Sequence, residues 1–163
     1  MRMVWYYSRM LHGTWLGMAV GGGVPWLWPF FTTLHFFGMV LLIGVVAAID
    51  LRMLGVAKAL PLKPLSRLLP WAMLGFTLNF ITGLGLYAAN PDQFQSWAFV
   101  AKMACVVLAV INGLHFYASG LHRQTAAVQA GGDVPTAAKL AAAASLALWF
   151  GVIFWGRMLA AFV

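Results

Sequence analysis

Three stretches of this chain run the width of a bilayer with almost no charge, and they limit what it can fold into. Residues 29–49 and 68–89 contain no Asp, Glu, Lys or Arg, and 137–163 carries only Lys139 near its start and Arg157 near its end. A fourth run, 96–120, is apolar apart from Lys102 and His115. A helix crosses the hydrocarbon core with about 20 mostly apolar residues, because inside it every backbone polar group is paired within the segment. Composition agrees. Against 63% hydrophobic residues the 163-residue chain sets 10 Lys+Arg and 3 Asp+Glu. Soluble domains average about 25% charged residues, so a water-facing surface cannot be built here. The expected fold class is all-α, a polytopic membrane four-helix bundle.

The organisation follows from where the runs begin. Residues 25–163 form the transmembrane helical bundle. Residues 1–24 form an N-terminal interfacial helix and a Gly-rich turn. The stretch from Val4 to Val20 holds Arg9 and His12, reaches only about 25 Å, and is broken at Gly21-Gly22-Gly23. It suits a helix lying at headgroup depth, with Trp5, Tyr6, Tyr7 and Trp15 as interfacial aromatics. A fifth span is the alternative.

Let side A be the side where the first span begins. The side-B loops and their flanks hold Arg52, Lys58, Lys63, Arg67, Arg123 and Lys139, whereas the side-A segment 90–95 has Asp92 and no Lys or Arg. Side B is then cytoplasmic by the positive-inside rule, and the C-terminus is periplasmic in a bacterial inner membrane. The net charge of +7 belongs to these loops and does not point to nucleic acid. The single cysteine, Cys105, excludes a disulfide within the chain and a Cys-ligated cluster. The expected partners are the lipid bilayer, a quinone or a periplasmic electron carrier, and other membrane subunits.

Ionisable groups inside a membrane are costly and mark function by default. Counting along the helices puts His35, Lys102 and Arg157 each roughly 8–9 Å inside side A, on three different spans. Thr82 of the second span ends at the same level. A His near the end of a helical bundle is a candidate axial ligand for haem iron, and cations at its level could neutralise propionates. Gly38, one turn past His35, would let a flat macrocycle approach the backbone. Candidates for the sixth ligand are His12, if the N-terminal helix folds over side A, and Lys102, if deprotonated; a five-coordinate iron is the third option. His115 lies toward side B and could serve only a second haem. The bland reading competes: lysine and arginine snorkel to headgroups, and His35 packs in a hydrogen-bonded core. His122, in a basic loop, is expected to be solvated, and Asp50 with Arg52 to anchor the first span at the interface. Asn79 and Asn112 are expected to bond across the bundle.

Several of these residues carry a resemblance. The run Pro29-Phe-Phe-Thr-Thr-Leu-His35, with Gly38, Gly44 and Asp50-Leu-Arg52-Met-Leu-Gly55, resembles an uncharacterised bacterial family of small four-helix membrane proteins. The likeness continues through Leu69-Pro70-Trp71, Thr82-Gly83, Phe99 to Met103, Asn112, and Trp149 to Arg157. More distantly, His35 and the pattern Trp97, Lys102, His115 are similar to HemJ-type protoporphyrinogen oxidases and CopD-like membrane proteins. That likeness implies a haem b held through a His and a Lys, which by position are His35 and Lys102. The segment 50–67 departs from the HemJ pattern, which weighs against porphyrin chemistry. The expected function is therefore a haem b-binding, quinol-linked electron-transfer protein. The alternatives are a cofactor-free structural subunit of a larger complex and a porphyrin-oxidising enzyme.

Overall fold

The structure, a computed structural model, describes Met10 and residues 12–159, excepting the side chains of Gln93 and Phe94. The described residues are all-α. A short helix α1 (Trp15–Met18) passes into a π-helical turn at Ala19–Gly23, followed by α2 (Leu27–Leu54), α3 (Leu62–Ser66) and α4 (Leu69–Ala89). A 3-10 turn at Pro91–Gln95 leads to α5 (Trp97–Ala118), α6 (Leu121–Ala126) and α7 (Thr136–Met158). Four helices, α2, α4 joined with α3, α5 and α7, are long and apolar enough to cross a membrane. Of the N-terminal interfacial helix, residues 1–9 and 11 lie outside the described residues.

Each helix stops where its chemistry dictates. Ser96 accepts from the Phe99 amide and caps α5, and Pro70 occupies the first turn of α4, where its missing N–H costs nothing. The sequence suggested that the first span ends at Asp50. The helix instead continues to Leu54 and closes at Gly55, whose φ of 102° supplies the left-handed residue of a Schellman cap. The Gly55 amide donates to Arg52 and the Val56 amide to Leu51, at 3.1 and 2.9 Å. Asp50 and Arg52 are packed against the rest of the protein, with exposures of 5% and 2%.

The helices pair as α2 with α4 and α5 with α7, and α2 against α7 joins the two pairs. Small residues set the first contact. A Cβ added at Gly75 would sit 2.6 Å from the Gly38 carbonyl and 2.7 Å from the Leu42 amide, so α2 and α4 touch backbone to backbone there. Close approach of this kind replaces the hydrophobic drive that lipid cannot supply. Leu42, Ala72, Ala109, Trp149 and Val152 form the central core, and Met53, Leu62, Val134, Ala138 and Ala142 a second one toward side B. Phe36, Phe37, Phe80, Val100, Leu114 and Phe150 are each more than half exposed. A belt of that size is untenable in water and ordinary against acyl chains.

Candidate functional site

His35 projects from α2 onto α4, and its Nδ1 lies 2.8 Å from Thr82 Oγ1. Thr82 is buried, and its Oγ1 also reaches the Leu78 carbonyl at 2.6 Å. With its hydrogen given to Leu78, Thr82 accepts from His35 Nδ1–H, and His35 also bonds the backbone of Asn79. In the neutral Nδ1–H tautomer the lone pair is on Nε2. A ring whose far nitrogen is fixed in this way is oriented as metal-binding imidazoles are.

The wall beside the ring is shaped by absent side chains. A Cβ at Gly83 would stand 3.4 Å from His35 Cε1. One turn below, a Cβ at Gly38 would come 2.7 Å from Asn79 Nδ2 and 2.9 Å from the Gly75 carbonyl. Gly38 is thus filled by the neighbouring helix and offers no face to a macrocycle; Gly83 is the glycine at the imidazole. The Asn79 side chain donates to Gly75 within its own helix at 3.0 Å, while the Asn79 backbone bonds His35 across the α2–α4 interface. The Asn112 side chain does bond across the bundle, donating to the Ala141 carbonyl of α7 at 2.9 Å.

Lys102 comes to the same level from α5. Its stem lies over Gly156 of α7, where an added Cβ would meet Cε at 3.7 Å and Nζ at 3.8 Å. It is half-buried and within electrostatic reach of His35. His35, Thr82, Gly83, Lys102 and Gly156 therefore converge near side A, and two aromatic pairs form at the same end of the helices. Tyr87 stacks on Phe99 at 5.9 Å, and Trp97 meets Trp155 edge-on at 4.8 Å. Arg157 follows Gly156 but is exposed.

The two remaining histidine candidates lie elsewhere. His12 is exposed, and its Nδ1 lies 3.3 Å from the carbonyl of Ala88. Ala88 is six residues beyond Thr82, about 9 Å along α4, so His12 sits above the level of the His35 ring. His115 is exposed on α5 toward side B. No group of three or more His, Cys, Asp or Glu that could hold a bare metal ion occurs among the described residues.

The sequence did not reveal a second polar site at the side-B end. His122 is not solvated in its loop: it is half-buried, stacks on Tyr117 at 4.8 Å, and its Nδ1 is sealed from solvent without a hydrogen bond. Asp50 Oδ2 and one terminal nitrogen of Arg52 are likewise buried and unpartnered, although Arg52 Nε donates to the Leu60 carbonyl at 2.5 Å. Outside, Asp133 accepts from Lys58 at 3.0 Å and from Lys139 at 2.9 Å, tying the two side-B loops together. Those two lysines hold the Asp133 carboxyl down at about 2, by hydrogen bonds first and by charge second, Lys139 contributing more than Lys58. Comparison with protein-family models, with curated proteins and with solved structures finds no match to this chain.

Proposed function

We propose that this chain is a bacterial inner-membrane protein that holds a b-type haem near side A and passes electrons, from a quinol toward a periplasmic acceptor. The observation that carries the reading is the contact of His35 Nδ1 with Thr82 Oγ1 at 2.8 Å, at a level where Lys102 is within electrostatic reach. With Nδ1–H given to Thr82, Nε2 would be the nitrogen that ligates iron. In this reading His35 would ligate the iron, and Lys102, over Gly156, would pair with a propionate. Arg157, exposed beside it, reaches a propionate only at the outer rim. The haem supplies the redox chemistry when bound. The chain supplies ligation, a water-poor wall and a cation that biases the potential. We retain one haem, since His115 faces outward.

The experiment is a haem assay on protein purified from haem-replete cells. Roughly one haem per chain is expected. A folded, colourless preparation would instead support the cofactor-free structural subunit. Turnover of protoporphyrinogen by the purified protein would point to the porphyrin-oxidising alternative.

A further inference from the structure

A cavity of about 210 Å³ opens at the side-B end of the bundle, bounded by α2, α5, α6 and α7 and by Leu62, Ser66 and Leu69 of α3 and α4. It lies far from the His35 site: Asp50 is fifteen residues further along α2, about 22 Å of helix. Its polar lining includes Asp50, Ser145 and His122, with Asn112 and Thr125, whose donors are given to the Ala141 and His122 carbonyls; its aromatic walls are Phe116, Tyr117 and Trp149. Ser66 and Ala126, both exposed, lie at its margin.

Two lining atoms are stranded. Asp50 is 5% exposed, and its Oδ2 has no hydrogen-bond partner. His122 Nδ1 is equally sealed and equally alone. Ser145 faces the carboxylate but leaves Oδ2 unmet. Among the described residues the ion pairs all involve Asp133, and none of their cations pairs with Asp50. Arg52, two residues on, is turned to the Leu60 carbonyl. A buried acceptor left unmet costs about 1–3 kcal/mol, and more when charged. Asp50 Oδ2 can accept, and His122 Nδ1 accepts in its Nε2–H tautomer, so a ligand that brings donors and a positive charge meets both.

We infer that this cavity binds a small protonated amine, its N–H groups directed at Asp50 Oδ2 and His122 Nδ1 and its carbon body against Trp149, Phe116 and Tyr117. An ammonium brings several donors and the missing charge, and aromatic walls favour cations. A bare metal ion fits poorly, because hard cations take several oxygen ligands and the lining offers one carboxylate. The site does not depend on the haem reading.

The test is calorimetric titration of the full-length protein in zwitterionic-lipid nanodiscs with 2-phenylethylammonium, against its neutral isostere 2-phenylethanol and against empty nanodiscs. Saturable binding is expected for the amine, with about tenfold or greater weakening for the alcohol and for Asp50→Asn. His122→Phe keeps the stack on Tyr117 and removes Nδ1; it should weaken the amine several-fold. Equal affinity for amine and alcohol, undiminished binding by folded Asp50→Asn, or no saturation by the wild type would overturn the inference. Should Asp50→Asn fail to fold, unchanged binding by His122→Phe would contradict it alone.

Discussion

Thr82 Oγ1 lies 2.8 Å from His35 Nδ1 across the α2–α4 interface and 2.6 Å from the Leu78 carbonyl of its own helix. With its hydrogen on Leu78, this buried hydroxyl takes the Nδ1–H of the imidazole. Thr82→Val preserves the shape of the side chain and deletes the acceptor. We expect it to remain folded and to lose about tenfold or more in haem affinity. Haem retention during gel filtration checks this; wild-type retention would show that Thr82 does not support the ligand.

Lys102 separates two roles. A lysine over Gly156 that pairs with a propionate stays charged, so Lys102→Arg should keep the visible spectrum and shift the midpoint potential modestly. Lys102→Met should move the potential further at unchanged spin state. A spin-state change in Lys102→Met would instead identify Lys102 as the second axial ligand.

The α2–α4 contact predicts unequal glycines. Gly75→Ala forces a methyl group against the Gly38 carbonyl and the Leu42 amide, both backbone atoms that cannot swing away. It should destabilise the fold by about 1–3 kcal/mol. Gly44, with nothing within 4 Å of an added Cβ, should accept Ala with no loss and up to about 1 kcal/mol of gain. Thermal unfolding in one detergent compares the two.

The spans were legible because a helix in lipid must be apolar for its whole length, a signal too long to arise otherwise. The shared depth of His35, Thr82 and Lys102 was legible by counting residues along those helices. Rotation about the helix axis was not. Depth alone could not show that Thr82 faces His35, that Gly38 is filled by α4, or that Arg157 turns outward. At side B the Asp-Leu-Arg sequence reads as the end of a span because charge interrupts the apolar run. The helix runs on one more turn before Gly55 closes it, and both residues are buried in the bundle. His122 was hidden for another reason: its burial depends on α6 folding back over Tyr117, a contact with no local sequence signature.

The loop clamp gives a pH prediction. Asp133 titrates at about 2 in the folded protein, below its ordinary 3.8, because Lys139 and Lys58 stabilise the carboxylate. A depressed pKa means the clamp contributes fully above 3.8 and is lost as pH falls through about 2. Both partners are exposed, so the effect should be local to the loops. Asp133→Asn should raise amide exchange at 55–61 and 127–135 at neutral pH and leave global unfolding nearly unchanged.

Orientation has its own test. On a background with Cys105 replaced, a cysteine at Gln93 should react with an impermeant thiol reagent from the periplasm. One at Lys63 should react only after the inner membrane is opened. The reverse pattern would put the His35 site on the cytoplasmic side.

The most direct measurement is the reduced-minus-oxidised visible spectrum of purified wild type and His35→Ala, with membrane insertion of both verified. The account predicts the α-band of a b-type haem in the wild type and its loss in His35→Ala. An unaltered band in inserted His35→Ala, or no band in the wild type from haem-replete cells, would contradict it.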